Sequence, residues 1–235
     1  RVFFEVPPMN DMNLLALLQD HGRDAIAKAF DCQLLLAMRF ELPRLRFTPR
    51  MARMRIEFTD GVIGIRPYFA EDAAPLFEAV RESVRELSVW MPWCHENYSV
   101  EESQSFASTR AAEWEKAEHF SFVIYDCRDA AFLGGVGLNF PNRVHAFANL
   151  GYWVRSSRTR LGVATAAVRL AARFGLEDLG FKRVEIVAAV GNLASQRVAE
   201  KAGARREGVL RKRLLLHGQS HDAVMFSLVA EDLGA

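Results

Sequence analysis

The sequence has little of what would mark a secreted, membrane or metal-binding protein. Its 235 residues include only three cysteines, Cys32, Cys94 and Cys127, which lie far apart. This odd and scattered set argues against a disulfide framework and a cysteine metal site, and it favours a reducing compartment. No apolar run approaches the roughly 18 residues of a membrane span, and no signal peptide is recognisable. We therefore expect a cytoplasmic protein that holds no metal and contacts no membrane.

The chain also lacks an excess of charge of either sign. Its 30 lysine and arginine residues against 29 aspartate and glutamate residues leave a formal net charge of +1. This balance argues against a nucleic-acid partner, which would need a basic field. His217 and His221 are four residues apart, but no acidic or cysteine ligand pattern accompanies them. Basic residues near the C-terminus are typical of a solvated strand edge; they are Arg205, Arg206, Arg211, Lys212 and Arg213.

Residues 1–50 differ from the rest of the chain. Apolar residues between positions 10 and 40 follow the period of an amphipathic helix, which Gly22 interrupts. Residues 42–50 are rich in proline and arginine, as in a linker. Two interpretations stay open here, an N-terminal extension with little structure or a helical appendage. We assign residues 51–235 to one folded domain.

Apolar periodicity and turn residues in this domain predict the order ββααβββαβαββ. The predicted strands are residues 54–58, 62–66, 120–126, 131–139, 147–154, 183–190, 205–210 and 214–229. The predicted helices are residues 72–87, 100–118, 163–179 and 192–202. Strand–helix–strand units flanked by hairpins favour an α/β fold with a mixed sheet.

A basic loop joins one predicted strand to the helix that follows it, and this junction has the features of an anion site. The loop carries Arg155, Arg158 and Arg160, and Gly162 opens the helix. The first N–H groups of a helix have no internal partner, and the helix dipole adds partial positive charge there. The alternative is a plain loop-to-helix junction with surface arginines.

A second polar segment follows the next predicted strand. Asn192 and Ser195 lie three residues apart at the start of the predicted helix 192–202. In a parallel sheet, ligands bind outside the carboxyl ends of the strands, so this segment and the basic loop should face one cleft. Helix capping by Asn192 and solvation of Ser195 are the alternatives.

Several short motifs occur together between residues 54 and 228. They are Gly151-Tyr152-Trp153-Val154, Arg160-Leu-Gly162-Val-Ala164-Thr165, Leu179-Gly180-Phe-Lys-Arg183, Asn192-x-x-Ser195-x-x-Val198-x-Glu200-Lys201-x-Gly203 and Glu207-Gly208, preceded by Ile65-Arg66-Pro67 and Trp90-Met-Pro-Trp93. Jointly they resemble the GCN5-related N-acetyltransferase (GNAT) superfamily, in its RimJ/RimL-like branch that acetylates ribosomal-protein N-termini. The resemblance implies a central mixed β-sheet flanked by helices, with one splayed strand pair.

The resemblance also implies a site for acetyl-coenzyme A (acetyl-CoA). Its implied cofactor-binding residues are Tyr152, Trp153, Val154, Arg158, Arg160, Leu161, Gly162, Val163, Ala164, Thr165, Asn192 and Ser195. The helix start would hold the pyrophosphate, and a backbone N–H near Val154 would polarise the thioester carbonyl. Asn192 would bond the pantetheine arm, and Ser195 would donate a proton to the departing thiolate.

The sequence departs from the family pattern where a general base is expected. Asn149 and Leu214 stand where many relatives carry carboxylates, and Thr159 replaces a usual glutamine or arginine. Base candidates are a water relayed by Asn149, the side chain of His217, and the carboxylates of Glu101 and Glu102. Trp90 and Trp93 are either core anchors, which is the favoured interpretation, or a wall of the acceptor pocket.

These features predict an N-acetyltransferase that moves the acetyl group of acetyl-CoA to a primary amine by direct attack. The expected acceptor is a protein N-terminal α-amine of the ribosomal-protein type. A small-molecule amine and a non-catalytic CoA-binding module are the alternatives, and the protein is expected to be a monomer or homodimer.

Overall fold

One mixed sheet of eight strands organises residues 57–234, the part of the chain that the computed structural model describes. The expected extension and linker in residues 1–50 lie outside the described residues. The strands are β1 (Phe58–Thr59), β2 (Ile63–Pro67), β3 (His119–Asp126), β4 (Phe132–Asn142), β5 (Phe147–Val154), β6 (Arg183–Ala189), β7 (Arg205–Leu216) and β8 (Gln219–Leu228). The helices are α1 (Ala73–Leu87), α2 (Val100–Lys116), α3 (Val163–Arg173) and α4 (Leu193–Ala202). This is the predicted element order.

The strands lie in the spatial order β1-β2-β3-β4-β5-β6-β8-β7. All neighbouring strands are antiparallel except β5 and β6, which run parallel and are connected through α3. Within the described residues, no helix is both long and apolar enough to cross a lipid bilayer.

Side chains alternate between the two faces of the sheet and divide the helices between them. On one face, Ala148 and Leu150 of β5 join the cluster that α3 buries with Ala167 and Val168. On the other face, Val123 packs against Leu76 and Val80 of α1. Trp153 of β5 packs against this second cluster. The sheet thus has one face covered by α3 and one covered by α1, called here the α3 face and the α1 face. Strand β5 contributes side chains to both.

Among the strands of residues 57–234, β5 and β6 form the one parallel pair, and only a short run of residue pairs joins them. Residue pairs join Phe147 to Arg183, Ala148 to Val184 and Asn149 to Glu185, and none follows along the two strands. Beyond Asn149, the edges of β5 and β6 that face each other have no strand partner. The predicted splayed strand pair is therefore present, and it opens toward the carboxyl ends of both strands.

Helix α3 ends earlier than predicted. Its α-helical part stops at Arg173, and a π-helical turn follows over Phe174–Asp178. Phe174, Gly175 and Leu176 are all buried. The wider turn directs three consecutive residues toward the sheet, where the periodicity of an α-helix would direct at most two.

The last hairpin also differs from the prediction. The turn lies at His217–Gly218 rather than at residues 211–213, so the basic run belongs to β7. His217 and Gly218 both have positive φ, of 50° and 77°. A two-residue hairpin turn requires this left-handed backbone, and glycine adopts it without strain. The basic run, residues 211–213, lies in β7 between Leu210 and Leu214, where the pairing of β7 with β8 is irregular.

Candidate active site

The gap between β5 and β6 forms the centre of the candidate site. Arg155 donates its backbone N–H to Leu133 O on β4 at 2.9 Å. Because N–H groups alternate in direction along a strand, the N–H groups of Val154 and Tyr152 point away from β4, into the gap. The gap is thus lined by backbone donors that an extended ligand can bond as a strand would.

The anion cradle was predicted at the start of α3, where the structure shows an open helix N-terminus. Gly162 is the N-cap with φ of 83°, and no side chain caps the helix. The N–H groups of residues 163–165 are therefore left for a ligand. Arg160 also has a left-handed backbone, with φ of 64°. Among the described residues, neither Arg158 nor Arg160 has an ion-pair partner, so both charges are available to an anion.

Arg155 does not belong to the cradle, contrary to the prediction. Its guanidinium forms an ion pair with Glu82 of α1, and Nη1 donates to Phe132 O at 3.2 Å. The loop is further tied to α1 because Ser156 N donates to Ser83 Oγ at 2.9 Å and Ser157 N donates to Glu82 Oε1 at 2.8 Å. The hydrogen bond from Arg155 lowers the pKa of Glu82 to about 2. Arg155 therefore holds the loop in place instead of offering charge to a ligand.

Ser195 is linked to the strand that borders the gap. The Tyr152 hydroxyl lies 2.9 Å from Ser195 O and 2.9 Å from Ser195 Oγ. A carbonyl oxygen only accepts, so the tyrosine donates to Ser195 O and the serine hydroxyl can donate to the tyrosine oxygen. Burial raises the pKa of Tyr152 to about 12, so its hydroxyl stays protonated at neutral pH. Ser195 is half-buried and oriented, rather than a solvated helix position.

Asn192 caps α4, as its sequence position suggested. Its Oδ1 accepts the N–H of Ser195 at 3.1 Å. Only the oxygen of the side-chain amide is used in this cap, so the amide NH₂ group can still donate to a ligand. Capping and ligand binding are therefore compatible at this residue.

A cavity of about 510 Å³ lies on the α1 face of the sheet beside β5. Its walls are mainly aromatic and include Tyr68, Trp93, Tyr98, Phe106, Phe140 and Trp153. Its floor is backbone, because Gly137 of β4 pairs directly with Gly151 of β5 and neither has a side chain. The cavity borders residues 151–153, the segment whose inner edge lines the gap. It is therefore a candidate pocket for an acceptor.

Two residues that the sequence singled out, Trp93 and Glu102, line this cavity. Trp93 is 42% exposed, and its ring centroid lies 6.1 Å from that of Trp153. Trp93 therefore forms a cavity wall rather than a core anchor. Glu102 lines the cavity as well, whereas Glu101 does not. The N–H of Ser99 donates to Glu102 Oε2 at 2.8 Å, and this bond lowers the pKa of the carboxyl. Its Oε1 contacts His95 Nε2 at 3.0 Å, so both carboxylate oxygens of Glu102 have a partner, which makes Glu102 a poor base.

A second cavity of about 480 Å³ lies beyond the carboxyl end of β6. Trp90, Gly191, His217 and His221 are among its lining residues. His217 Nε2 lies 2.7 Å from Ser88 O at the end of α1, so this nitrogen donates and the ring ties the last hairpin to α1. Within residues 57–234, no group of three or more His, Cys, Asp or Glu side chains is placed to hold a metal ion.

Asn149 is on the opposite face of β5 from Tyr152, the residue that contacts Ser195. It is the β5 member of the last residue pair before the gap, opposite Glu185, and it is half-buried. Its side chain lies on the α1 face, since its neighbours Ala148 and Leu150 are buried on the α3 face. Its predicted catalytic role stays a prediction, as does that of Ser195.

A family model described as "Acetyltransferase (GNAT) domain" matches residues 63–205, more than half of the chain. The chain belongs to this family. The predicted enzyme class, an acetyl-CoA-dependent N-acetyltransferase, is confirmed, and so is the predicted fold class. The GNAT relative YdaF of Bacillus subtilis (strain 168), a proposed ribosomal N-acetyltransferase, is 29% identical over 172 residues, which are 72% of this chain and 92% of YdaF.

Solved structures of other acetyltransferases match this GNAT domain. Mycobacterium smegmatis RimJ in complex with CoA-disulfide is 28% identical with a TM-score of 0.67, covering 74% of this chain and 85% of RimJ. A proposed ribosomal-protein-serine acetyltransferase from Vibrio cholerae is 26% identical with a TM-score of 0.63, covering 74% of this chain and 97% of that one. These similarities confirm the predicted resemblance to the RimJ/RimL-like branch.

Sequence reasoning missed contacts that join distant parts of this acetyltransferase. Tyr68, just after β2, and Phe106 of α2 line the cavity, and Glu82 of α1 binds Arg155 in the basic loop. None of these residues lies in a recognisable local motif. The periodicity of α1 marked its apolar side, but no signal in the chain identified which of its acidic residues meets Arg155.

Proposed function

We propose that this protein acetylates a primary amine, and specifically the α-amine at a protein N-terminus of the ribosomal-protein type. The observation that carries the proposal is the position of residues 151–153. One face of this segment forms part of the 510 Å³ cavity, and its inner edge borders the gap between β5 and β6. An amine in the cavity and a thioester in the gap would therefore meet across a single strand.

In this proposal acetyl-CoA lies along the gap. The N–H groups of Gly162, Val163, Ala164 and Thr165 bind the pyrophosphate, and Arg158 and Arg160 neutralise its charge. Leu161 holds the loop beside them, and the strand of Tyr152, Trp153 and Val154 bonds the pantetheine arm together with Asn192. The support is the uncapped helix start, the two unpaired arginines and the inward N–H groups of β5.

The chemistry that these groups provide is direct acyl transfer. Attack of the amine on the thioester carbon creates an oxyanion, which the N–H of Val154 stabilises because it is fixed in the sheet and points into the gap. Ser195 then donates its hydroxyl proton to the departing thiolate. Tyr152 holds the serine in place through the two 2.9 Å contacts.

The cavity supports an amine acceptor on chemical grounds. Aromatic faces attract cations, and the carboxylate of Glu102, whose Oε1 also contacts His95 Nε2 at 3.0 Å, adds negative charge at the same cavity. An N-terminal α-amine has an ordinary pKa near 7.7–8.0, against about 10.4 for lysine, so it needs less help to lose its proton. The proposed ribosomal activities of YdaF and of the Vibrio cholerae enzyme agree with this acceptor class.

Turnover of acetyl-CoA against a panel of acceptors tests the proposal. The panel contains short peptides with free α-amines, the same peptides with blocked α-amines and a lysine, and spermidine and glucosamine. We expect release of free CoA with the first group, reduced about 100-fold by Ser195→Ala. Turnover of the small amines alone would favour the small-molecule alternative. Binding of CoA without turnover of any amine, unchanged by Ser195→Ala, would overturn the proposal in favour of a non-catalytic module.

A further inference from the structure

Two hydrogen-bond donors that line the 510 Å³ cavity have no partner within residues 57–234. They are the hydroxyl of Tyr68 and the indole N–H of Trp153. Both rings contact other aromatic rings, but no hydrogen bond engages Tyr68 Oη or Trp153 Nε1. Tyr68 is only 3% exposed, and burial raises the pKa of its hydroxyl, which therefore stays protonated. Because an unpaired donor is costly in a buried position, the cavity is where a ligand would satisfy these two.

Both donors lie over the backbone of Gly135 in β4. A Cβ built on this glycine would be 2.7 Å from Tyr68 Oη and 2.8 Å from Trp153 Nε1, so any side chain at this position would displace them. Each donor atom is within the length of a hydrogen bond of that one point. The two donors are therefore close enough for a single ligand oxygen in the cavity to accept a hydrogen bond from both.

The surrounding contacts hold both donors in place before a ligand binds. Phe132 packs against both rings, with centroid distances of 6.3 Å to Tyr68 and 6.0 Å to Trp153. The chain beside Tyr68 is fixed as well, because the carboxylate of Asp72 accepts the N–H of Phe69 at 2.7 Å. A ligand that bonds to these donors therefore pays little for ordering them.

The charged groups of this cavity favour an uncharged ligand oxygen. Arg110 lines the cavity, but its guanidinium forms an ion pair with Glu113 at 2.6 Å, which compensates its charge. The carboxylate of Glu102 adds negative charge to the same cavity. A carboxylate ligand would be repelled by Glu102 with no unpaired cation to offset the repulsion. The neutral oxygen of an amide carbonyl accepts two hydrogen bonds and avoids this cost.

The strand register sets the distance between the two donors and the proposed amine. Gly135 pairs directly with Trp153, so the donors lie over the strand next to residues 151–153, where the amine is proposed to attack. Neighbouring strands are about 4.8 Å apart. In one residue the carbonyl oxygen is roughly 3 Å from the nitrogen, and a hydrogen bond adds about 2.9 Å. The carbonyl nearest to the amine therefore fits this separation better than a more distant one.

We propose that Tyr68 and Trp153 bind the carbonyl oxygen of the residue whose α-amine is acetylated. This assignment rests on the proposed acetyl transfer to an α-amine and names the group by which the enzyme recognises it. An amide carbonyl next to the amine is present at every peptide N-terminus, whereas polyamines and amino sugars lack it. The two donors therefore select peptide N-termini over small amines.

The test measures how strongly this oxygen is coupled to the Tyr68 hydroxyl. The acceptors are a tetrapeptide of alanine and two analogues in which sulfur, a weaker hydrogen-bond acceptor, replaces the first or the second carbonyl oxygen. We expect Tyr68→Phe, which retains the ring, to lower kcat/KM about tenfold with the all-oxygen peptide and at most about twofold with the first-sulfur peptide. The second-sulfur peptide should behave like the all-oxygen peptide.

Tyr125→Phe is the matched control for this change. Tyr125 lies in β3, its hydroxyl likewise has no hydrogen-bond partner within residues 57–234, and it does not line the cavity. We expect this control to leave kcat/KM unchanged with all three peptides. The Kd for CoA and the thermal midpoint of Tyr68→Phe should match those of Tyr125→Phe, which shows that the variant is folded.

Trp153→Phe tests the second donor. It also shortens a cavity wall, so part of its loss should be common to all three peptides, with a further loss of about fivefold only where the first carbonyl keeps its oxygen. Equal losses with the first-sulfur and all-oxygen peptides, or a loss that depends on the second carbonyl, would overturn this assignment and leave the proposed function intact. Failure of the unaltered protein to acetylate any α-amine peptide would overturn both.

Discussion

Gly137 and Gly151 are paired directly across β4 and β5, and together they leave part of the cavity floor as bare backbone. A Cβ added at Gly137 would lie 3.2 Å from Phe120 O, whereas one added at Gly151 would meet only Asn139 Nδ2, at 3.4 Å. Gly151 can therefore accept a side chain without a backbone clash, and that side chain would enter the space assigned to the acceptor.

Replacing Gly151 by valine should separate acceptor binding from CoA binding. The two methyl groups fill the cavity floor but leave the inner edge of β5 unchanged. We expect the KM for an α-amine peptide to rise about tenfold or more, equivalent to ~1.4 kcal/mol, with the Kd for CoA within about twofold of the original. The matched control is Gly208→Val in β7, where a Cβ meets nothing within 4 Å. A KM unchanged by Gly151→Val would exclude this cavity as the acceptor site.

Replacing Tyr152 by phenylalanine should act through Ser195. The change removes the hydroxyl that lies 2.9 Å from both Ser195 O and Ser195 Oγ, but it retains the ring. We expect kcat to fall about tenfold, and Tyr152→Phe combined with Ser195→Ala to be no slower than Ser195→Ala alone. Steady-state kinetics of the four proteins measures this coupling. Simple additivity of the two changes would show that the residues act independently.

Removing the charge of Arg160 should weaken CoA binding. The arginine has no ion-pair partner among the described residues and lies beside the open start of α3. We expect Arg160→Gln to raise the Kd for CoA about fivefold, or ~1 kcal/mol, with the difference shrinking as salt is added. Arg173→Gln is the matched control, because Arg173 is in the last turn of the same helix. Calorimetric titration with CoA gives the Kd of each variant. Equal Kd values would show that Arg160 does not contribute to CoA binding.

The Glu82–Arg155 pair should make stability depend on acid pH. The pKa of Glu82 is lowered from 4.5 to about 2 in the folded protein. The contribution of this ion pair to the free energy of unfolding is therefore complete above pH 4.5, and it is lost as the pH falls toward 2. We expect Glu82→Gln to lower the free energy of unfolding by about 1–2 kcal/mol at pH 7 and by progressively less below pH 4.5. Urea unfolding at several pH values measures this, and a constant difference across that range would contradict it.

The sequence was sufficient for the element order because local signals agreed with the fold. Asp60 and Gly61 predicted the first hairpin, and Asp60 Oδ1 accepts the N–H groups of Val62 and Ile63 at 2.9 Å. Asn192 predicted the start of α4, and its side chain caps that helix. Tertiary packing decided what local signals could not, such as the π-helical turn that buries Phe174.

The residues of the proposed cofactor site are closer together in the sequence than those of the proposed acceptor site. Gly162 and its helix are contiguous in sequence, so one motif contains the whole cradle. The proposed acceptor cavity is assembled from α1, α2, β3, β4, β5 and the connections that precede α1 and α2, and its residues share no spacing.

The three residue pairs between β5 and β6 have a consequence for how such proteins diverge. A pantetheine arm in the gap would be recognised by main-chain N–H and C=O groups, which every residue except proline supplies in full. Selection would then act on strand geometry rather than on side-chain identity along this edge. Such an edge would tolerate substitution, as expected in a family in which this chain and YdaF are only 29% identical.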